Sequence, residues 1–260
     1  MWPEPHPVMK PIPFRVPSRR RAFSLIELLT VIGIIGVLAA IGVGMSGVAT
    51  RKSHETAVKA GLHKLQSAID SYKADFNQYP PDFNNAGTNV NPALSPLYYE
   101  LVGTIAGGQG NVYHAADRSD AQLTAAKIKT AFNAGGFLNS AVPPAAPKSF
   151  LQNLRERDRR EIVLASGPAV ELLLTPIDWP AALVARAPLQ GLVAQNADLR
   201  FNPWHYVSTH PTNSPSSYDL WAEIPTLEYQ VNPQSGAKQR YLKIRRIGNW
   251  GEEIIQTPAP

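Results

Sequence analysis

The chain contains no cysteine among its 260 residues. It can therefore form no disulfide, has no thiol nucleophile and offers no cysteine ligand to a metal. The motifs of common enzyme sites are also missing, since there is no G-x-S-x-G elbow and no phosphate-binding loop. The histidines show no H-x-x-x-H or other ligand spacing. We therefore expect a protein that is not an enzyme, with no catalytic residue.

Charge is nearly missing from one long stretch near the N-terminus. Glu27 is the only ionisable side chain in the 26 residues from Phe23 to Val48. As a helix this stretch is about 39 Å long, which exceeds the roughly 30 Å of a hydrocarbon core. A carboxylate at membrane depth costs on the order of 2.5–3.5 kcal/mol, so it is retained for a function. The sequence thus predicts a membrane-spanning helix with a functional Glu27.

The positive charge of the chain is concentrated before this stretch. The formal net charge is +5, but residues 1–22 hold five basic residues against Glu4 and account for +4 of it. The remaining 20 basic and 19 acidic residues nearly cancel, giving +1. Arginines that precede an apolar helix stay on the cytoplasmic side. The basicity therefore indicates topology, and we expect no nucleic-acid binding.

The junction of the two stretches reads Arg19-Arg20-Arg21-Ala22-Phe23-Ser24-Leu25-Ile26-Glu27-Leu28. It resembles the N-terminal signal of type IV prepilins and type II secretion pseudopilins. Ala22 stands where that family usually has Gly, and Ser24 where it usually has Thr. The resemblance implies that a prepilin peptidase cuts between Ala22 and Phe23 and that Phe23 is then N-methylated. It also implies that Glu27 pairs with the new amine of Phe23 on a neighbouring subunit during assembly.

This resemblance predicts the topology and the partners of the whole chain. Residues 1–22 would be a cleaved cytoplasmic leader, with Met9 as an alternative start, and 23–50 the transmembrane and assembly half of a long helix. The head would lie in the periplasm and the anchor in the bacterial inner membrane. The expected partners are the peptidase, copies of the chain, other pseudopilins and the inner-membrane assembly platform.

The long helix is predicted to continue into water as an amphipathic half over 51–80. Its apolar residues are spaced 4, 3, 4, 3 and 4 apart, which places them on one helix face. They are Val58, Leu62, Leu65, Ile69, Tyr72 and Phe76. Pro80-Pro81 ends the helix, which we expect to stop near Asn77. The stripe is predicted to pack against the head.

The rest of the chain divides into a variable insertion, 81–200, and a C-terminal β region, 201–260. In the insertion we predict a helix over 121–132 and a solvated helix face over 151–160. In the β region, strands are predicted at 204–208 and 218–224, with a hairpin around 232–236 leading into 241–244; a further strand, 169–175, precedes them. The predicted fold class is α+β: a type IV pilin-like long helix packed on a small antiparallel sheet, with an enlarged irregular and helical insertion.

The C-terminal region also resembles the major pseudopilins in its landmarks. In order these are Asn202-Pro203-Trp204 with Tyr206, then Ser217-Tyr218-Asp219-Leu220-Trp221, and finally Ile247-Gly248-Asn249-Trp250. Such proteins often hold Ca²⁺ in an acidic loop before the last Trp, and Ca²⁺ requires six to eight oxygen ligands. The matching stretch here, 225–246, has a single acid, Glu228, so only Asp219 and Glu223 are weak metal candidates. We expect no cofactor, and Ca²⁺ is the alternative that stays open.

Several alternatives remain open at this point. The apolar stretch could be a secretory signal peptide or a plain single-pass anchor, although it is longer than a signal h-region and contains Glu27. The chain could be a type IV pilin of a surface fibre, but such pilins often carry a disulfide loop. It could also be a membrane-anchored periplasmic binding protein whose insertion forms a ligand surface. The favoured interpretation is a pseudopilin of a type II secretion system.

Overall fold

The computed structural model describes residues 24–83, 91–107, 112–194, 198–231 and 235–258, without the side chains at 40–49, 118–121 and 258. The chain forms two units, Met1–Thr50 and Arg51–Pro260. The helices are α1 (Leu25–Phe76), α2 (Leu97–Val102) and α3 (Ala125–Phe132). The strands are β1 (Thr104–Ala106), β2 (Val112–Ala115), β3 (Arg118–Thr124), β4 (Ser140–Ala141), β5 (Arg159–Val163), β6 (Ala169–Leu173), β7 (His205–Val207), β8 (Asp219–Val231), β9 (Lys238–Gly248) and β10 (Gly251–Pro258).

Helix α1 ends where the sequence predicts. Asn77 follows its last residue with a φ of 58°, a left-handed conformation that stops a helix and that Asn tolerates. Five of the six stripe residues, from Val58 to Tyr72, are buried, and Phe76 is partly buried. The prediction that this stripe is core is confirmed.

The C-terminal sheet has the strand order β10-β9-β8-β7, and all of its pairs are antiparallel. The predicted hairpin is present, and β8 and β9 pair from Trp221 with Gly248 out to Val231 with Lys238. Strand β10, which the sequence analysis missed, pairs with β9 along its whole length. The α+β class is confirmed, while the type IV pilin-like arrangement stays a prediction.

Both faces of this sheet are covered. Successive side chains of a strand point to opposite faces. Leu220 and Ala222 of β8 join the main core, which includes the α1 stripe, whereas Leu227 packs in a second cluster. That cluster is built by the insertion through Trp179 and Leu183, and the Trp179 Nε1 donates a 2.7 Å hydrogen bond to the Leu183 carbonyl. The insertion is therefore part of the packed head.

The insertion holds more strand than we expected. Strands β3-β2-β1-β4 form one sheet, and β5 and β6 form a hairpin. The predicted helix over 121–132 begins only at Ala125, because β3 pairs with β2 through Thr124 and the Thr124 hydroxyl then caps α3 by accepting from Lys127 N.

The predicted solvated helix over 151–160 was wrong. Only a short 3-10 helix forms there, Glu156–Asp158, and Arg159 begins β5. The Arg159 side chain is only 12% exposed, and its Nη1 lies 2.6 Å from the Asp117 carboxylate and 2.8 Å from the Tyr98 hydroxyl. These partners lie far away in sequence, so a run of charges gave no sign of them.

Candidate functional site

The predicted cleavage site joins Ala22 to Phe23, and both residues lie outside those the structure describes. Description begins at Ser24, directly after them. The geometry on the helix side of the cleavage site is therefore that of the first turn of α1. That turn holds Glu27, the predicted assembly residue.

Ser24 and Glu27 form a reciprocal cap at the start of α1. The Glu27 Oε2 accepts a 2.9 Å hydrogen bond from the Ser24 backbone N–H. The Ser24 hydroxyl accepts one of 3.3 Å from the Glu27 backbone N–H. Each side chain thus satisfies a backbone donor that a helix start leaves without an intrahelical partner. This capping box fixes where the helix begins relative to the predicted cleavage site.

The sequence analysis assigned Glu27 an assembly role but missed this cap. The signal was available, since Ser-x-x-Glu before an apolar run is the pattern of a capping box. The cap also explains why Ser24 can stand in place of Thr, because either hydroxyl can accept the hydrogen bond from the Glu27 backbone N–H. The carboxylate is exposed, and among the described residues no hydrogen bond reaches its Oε1. The second oxygen remains accessible to a cation.

The side chains that follow are apolar and exposed. From Leu25 to Leu38 every large hydrophobic residue is at least 46% exposed. Within the described residues, no helix combines the length and the apolar character that crossing a membrane requires. The side chains at 40–49, which belong to the predicted span, lie outside the description. The membrane-spanning half of α1 therefore stays a prediction.

In the head, a buried carboxylate joins α1 to the insertion. Glu100 of α2 has no exposed surface and accepts hydrogen bonds of 2.9 to 3.0 Å from the Tyr72 hydroxyl and the backbone N–H groups of Leu138 and Asn139. Burial raises the pKa of Glu100 above its usual value, against the effect of these three donors. Such a site holds α1, α2 and the 138–139 segment in one geometry. No sequence pattern predicted this buried carboxylate.

A second polar group ties α1 to the C-terminal sheet. Glu55 pairs with Lys59 at 2.8 Å and with Arg245 of β9 at 2.9 Å. Lys59 also pairs with Glu252 of β10 at 2.8 Å. The hydrogen bond from Lys59, followed by that from Arg245, lowers the pKa of Glu55 to about 2. Lys52 lies 3.4 Å from Glu55 as well, so three cations face two carboxylates in this network.

The weak metal candidates do not fit a calcium site. The Asp219 Oδ2 accepts from the backbone and side-chain nitrogens of Asn213, and Glu223 is bound by the Arg246 guanidinium at 2.9 Å. The two carboxylates are four residues apart on one strand, about 13 Å along it. The corresponding stretch, 225–246, belongs to the hairpin of β8 and β9, and its acid Glu228 pairs with Lys243. In the part of the chain that is described, no three acidic or histidine residues cluster as metal ligands.

His205 is the buried histidine of the head. Its ring stacks on Trp221 with centroids 4.9 Å apart. Burial lowers the pKa of His205, so the neutral imidazole is favoured in the folded state. This residue therefore serves as packing.

Comparison with known proteins supports the N-terminal signal. The family described as the prokaryotic N-terminal methylation motif matches residues 17–43, which include Ala22, Phe23 and Glu27. This chain therefore carries that motif. The match covers the predicted cleavage site and most of the apolar stretch, and it leaves the head unassigned.

Curated relatives point to the same system. The chain is 41% identical over 63 residues to type II secretion system core protein G of Pectobacterium carotovorum subsp. carotovorum, a match of 24% of this chain and 40% of that protein. It is 35% identical over 85 residues to the protein of the same name from Escherichia coli (strain K12), covering 32% and 58%. The Klebsiella pneumoniae protein is 39% identical over 63 residues, covering 24% and 45%.

These matches span about half of each relative's length and about a quarter to a third of this chain. The relatives are core proteins of a secretion system and not enzymes, so the expectation that this chain is no enzyme is confirmed. The resemblance to type II secretion pseudopilins is also confirmed. The comparison with solved structures found no match.

Proposed function

We propose that this chain is a pseudopilin that assembles into the periplasmic pseudopilus of a type II secretion system. The observation that carries the proposal is the methylation motif over 17–43, which brings together the arginines, the cleavage site and Glu27. The similarity to core protein G supports the same system. The lack of cysteine favours a pseudopilus over a surface fibre whose pilins close a disulfide loop.

Processing begins at the leader. Prepilin peptidase cuts between Ala22 and Phe23 on the cytoplasmic side and methylates the new amine of Phe23. The capping box is formed by Ser24 and Glu27, which both remain in the processed chain. The helix start therefore survives the cleavage, with Leu25 two residues and Glu27 four residues after the new amine of Phe23.

Assembly uses the charge of Glu27. In the membrane a lone carboxylate is costly, so a partner of opposite charge is favoured strongly at low dielectric constant. The amine of Phe23 on a neighbouring subunit supplies that charge, and the pair fixes the register between two helices. The Oε1 of Glu27 is available for it, since the cap uses Oε2.

The anchor and the head have separate roles. The helix over 23–50 holds the subunit in the bacterial inner membrane, with Arg19 to Arg21 on the cytoplasmic side and the head in the periplasm. The head is a packed body whose insertion covers the outer face of the C-terminal sheet. Copies of the chain, other pseudopilins and the inner-membrane assembly platform are the partners of the assembled state, and no cofactor is needed.

Mass spectrometry of the N-terminus tests the proposal in a bacterium that carries a prepilin peptidase. The expected product begins at N-methylated Phe23. Ala22→Leu should block processing, because a bulky side chain replaces a small one at the cut, and Ala22→Gly is the matched control that should be processed normally. A product that keeps Met1 or Met9, or one that begins near Ile41, contradicts the proposal.

A further inference from the structure

A groove with a cavity volume of about 280 Å³ runs beside the second half of α1. Its floor is made by small residues of the helix, Ala57, Ala60 and Gly61. Its walls include Leu154 from the insertion and Trp204. The Trp204 ring is buried and already covers Gly61. Ala57 and Ala60 are exposed, so they allow close approach of another chain, and the half-buried Leu154 offers an apolar side chain to pack against.

The rim of this groove carries surplus positive charge. Three cations line it, Lys64, Arg155 and Arg157, against the single acid Asp158. Arg155 binds both carboxylate oxygens of Asp158, at 3.0 and 3.1 Å, and Arg157 reaches it only at 3.8 Å. One acid cannot neutralise three cations. The groove therefore favours an occupant with an apolar part and a carboxylate.

The same chain carries such a feature at its C-terminal edge. Strand β10 is the edge of its sheet, has no basic residue, and exposes 60% of Ile254. Its neighbour Glu253 is 47% exposed and lies 3.5 Å from Arg246, which is already bound by Glu223 at 2.9 Å. Arg246 thus lies between two carboxylates and can neutralise only one of them. The pair Glu223 and Glu253 therefore leaves surplus negative charge at Glu253. An edge strand also offers backbone groups for further pairing.

The groove and β10 lie on opposite sides of α1. Glu55 and Lys59 face the C-terminal sheet, where Lys59 binds Glu252. A helix turns about 100° per residue. The mean direction of the groove residues Ala57, Ala60 and Lys64 is therefore roughly 150° around α1 from the mean direction of Glu55 and Lys59. Two different surfaces on opposite sides form a head-to-tail contact, and a head-to-tail contact that does not close produces a helical filament.

We propose that the β10 edge of one copy, through Ile254 and Glu253, binds in the α1 groove of the next copy. This inference rests on the proposed function, because it names a contact between heads within the pseudopilus. Because these two side chains point to opposite faces of β10, the strand enters the groove edge-on, with Ile254 on the side of the floor at Ala60 and Glu253 on the side of the charged rim at Lys64 and Arg157. The charges orient the two copies as they meet.

The absence of native cysteine makes disulfide crosslinking a direct test. The full-length double variant Ala60→Cys, Ile254→Cys is produced with the secretion machinery, oxidised and run on non-reducing gels. A disulfide needs Cβ atoms about 3.5–4.5 Å apart, so only a true contact gives product. The expected result is a ladder of long covalent oligomers. A mixture of the two single variants should stop at dimers, because each copy then has one thiol.

The matched control replaces Ala60→Cys with Ala126→Cys, an exposed alanine on α3. That pair should give no ladder, and a ladder from it overturns the inference. Dimers from Ile254→Cys alone identify a symmetric β10 contact and also overturn it. N-terminal mass spectrometry of the same samples separates this inference from the proposed function. If the chain is processed and found in filaments but gives no ladder, only the groove contact is refuted. If the chain is unprocessed, the proposed function is refuted and this inference with it.

Charge reversal gives a second readout that needs no thiol. Lys64→Glu or Glu253→Lys alone should lower the yield of assembled chain by up to about fivefold, the range for an exposed ion pair. The double reversal should restore it, because the opposite charges again face each other. Equal yields from all three variants contradict the contact, and single variants that are lost without rescue do so as well.

Discussion

The buried bond between Tyr72 and Glu100 gives the sharpest stability prediction for the head. Tyr72→Phe keeps the ring and removes only the hydroxyl that lies 2.9 Å from the Glu100 carboxylate. Because Glu100 is fully buried, no water replaces the lost donor. Losing a hydrogen bond to a charged group costs about 1.5–3 kcal/mol of unfolding free energy. For a unit of Arg51–Pro260, a loss of about 2 kcal/mol lowers Tm by roughly 4–8 °C.

The assay is thermal unfolding of the full chain in detergent, followed by circular dichroism at pH 8 and at pH 5. Burial raises the pKa of Glu100. The loss should therefore be smaller at pH 5, where the carboxyl holds a proton more readily and accepts a weaker bond. Tyr79→Phe is the control, since its partners are the exposed Lys73 and the half-buried Ser217, and it should cost less than about 1 kcal/mol. Equal Tm values for Tyr72→Phe and wild type would refute the reasoning.

Three further predictions address the membrane signal, the groove floor and pH. Glu27→Ala should insert in the membrane normally but fail to enter filaments, as seen by fractionation and electron microscopy; normal filament yield contradicts its assembly role. Gly61→Ala should lower stability by about 1–3 kcal/mol in urea unfolding, because its Cβ would lie 2.9 Å from the Trp204 ring; Ala60→Ser is the control on the exposed face. Burial lowers the pKa of His205, so wild type should lose stability as pH falls below about 6.5, by up to about 1.4 kcal/mol per pH unit. His205→Gln should flatten that slope, and an unchanged slope shows that another group titrates.

The insertion is attached to the rest of the head at two places. Trp179 and Leu183 cover the sheet face opposite α1, and Glu100 fastens α2 to the helix itself. An insertion fixed at two such points is integral to the folding unit. Its removal would expose Leu227 and Leu242 of the sheet and leave the Tyr72 hydroxyl without its acceptor.

Local patterns predicted the features that local physics controls. The spacing of Val58 to Phe76 predicted the buried helix face, and Pro80-Pro81 predicted that the helix stops near Asn77. Alternating apolar residues predicted β8 and its hairpin with β9. The Ser24–Glu27 cap was equally visible but was overlooked. Strand β10 was missed because Glu252 and Glu253 together hide its alternation.

The sequence alone determined the signal, because the arginines, the predicted cleavage site and Glu27 are contiguous and form a pattern of charge and apolar length. Only the tertiary structure decided which polar residues are buried. Glu100 accepts from a backbone N–H 38 residues away, and Arg159 donates to a hydroxyl 61 residues away. From sequence alone a charged residue is predicted to be solvated, because its burial depends on segments that are distant along the chain. The same reason explains why the groove and the β10 edge, on opposite sides of α1, became visible only in three dimensions.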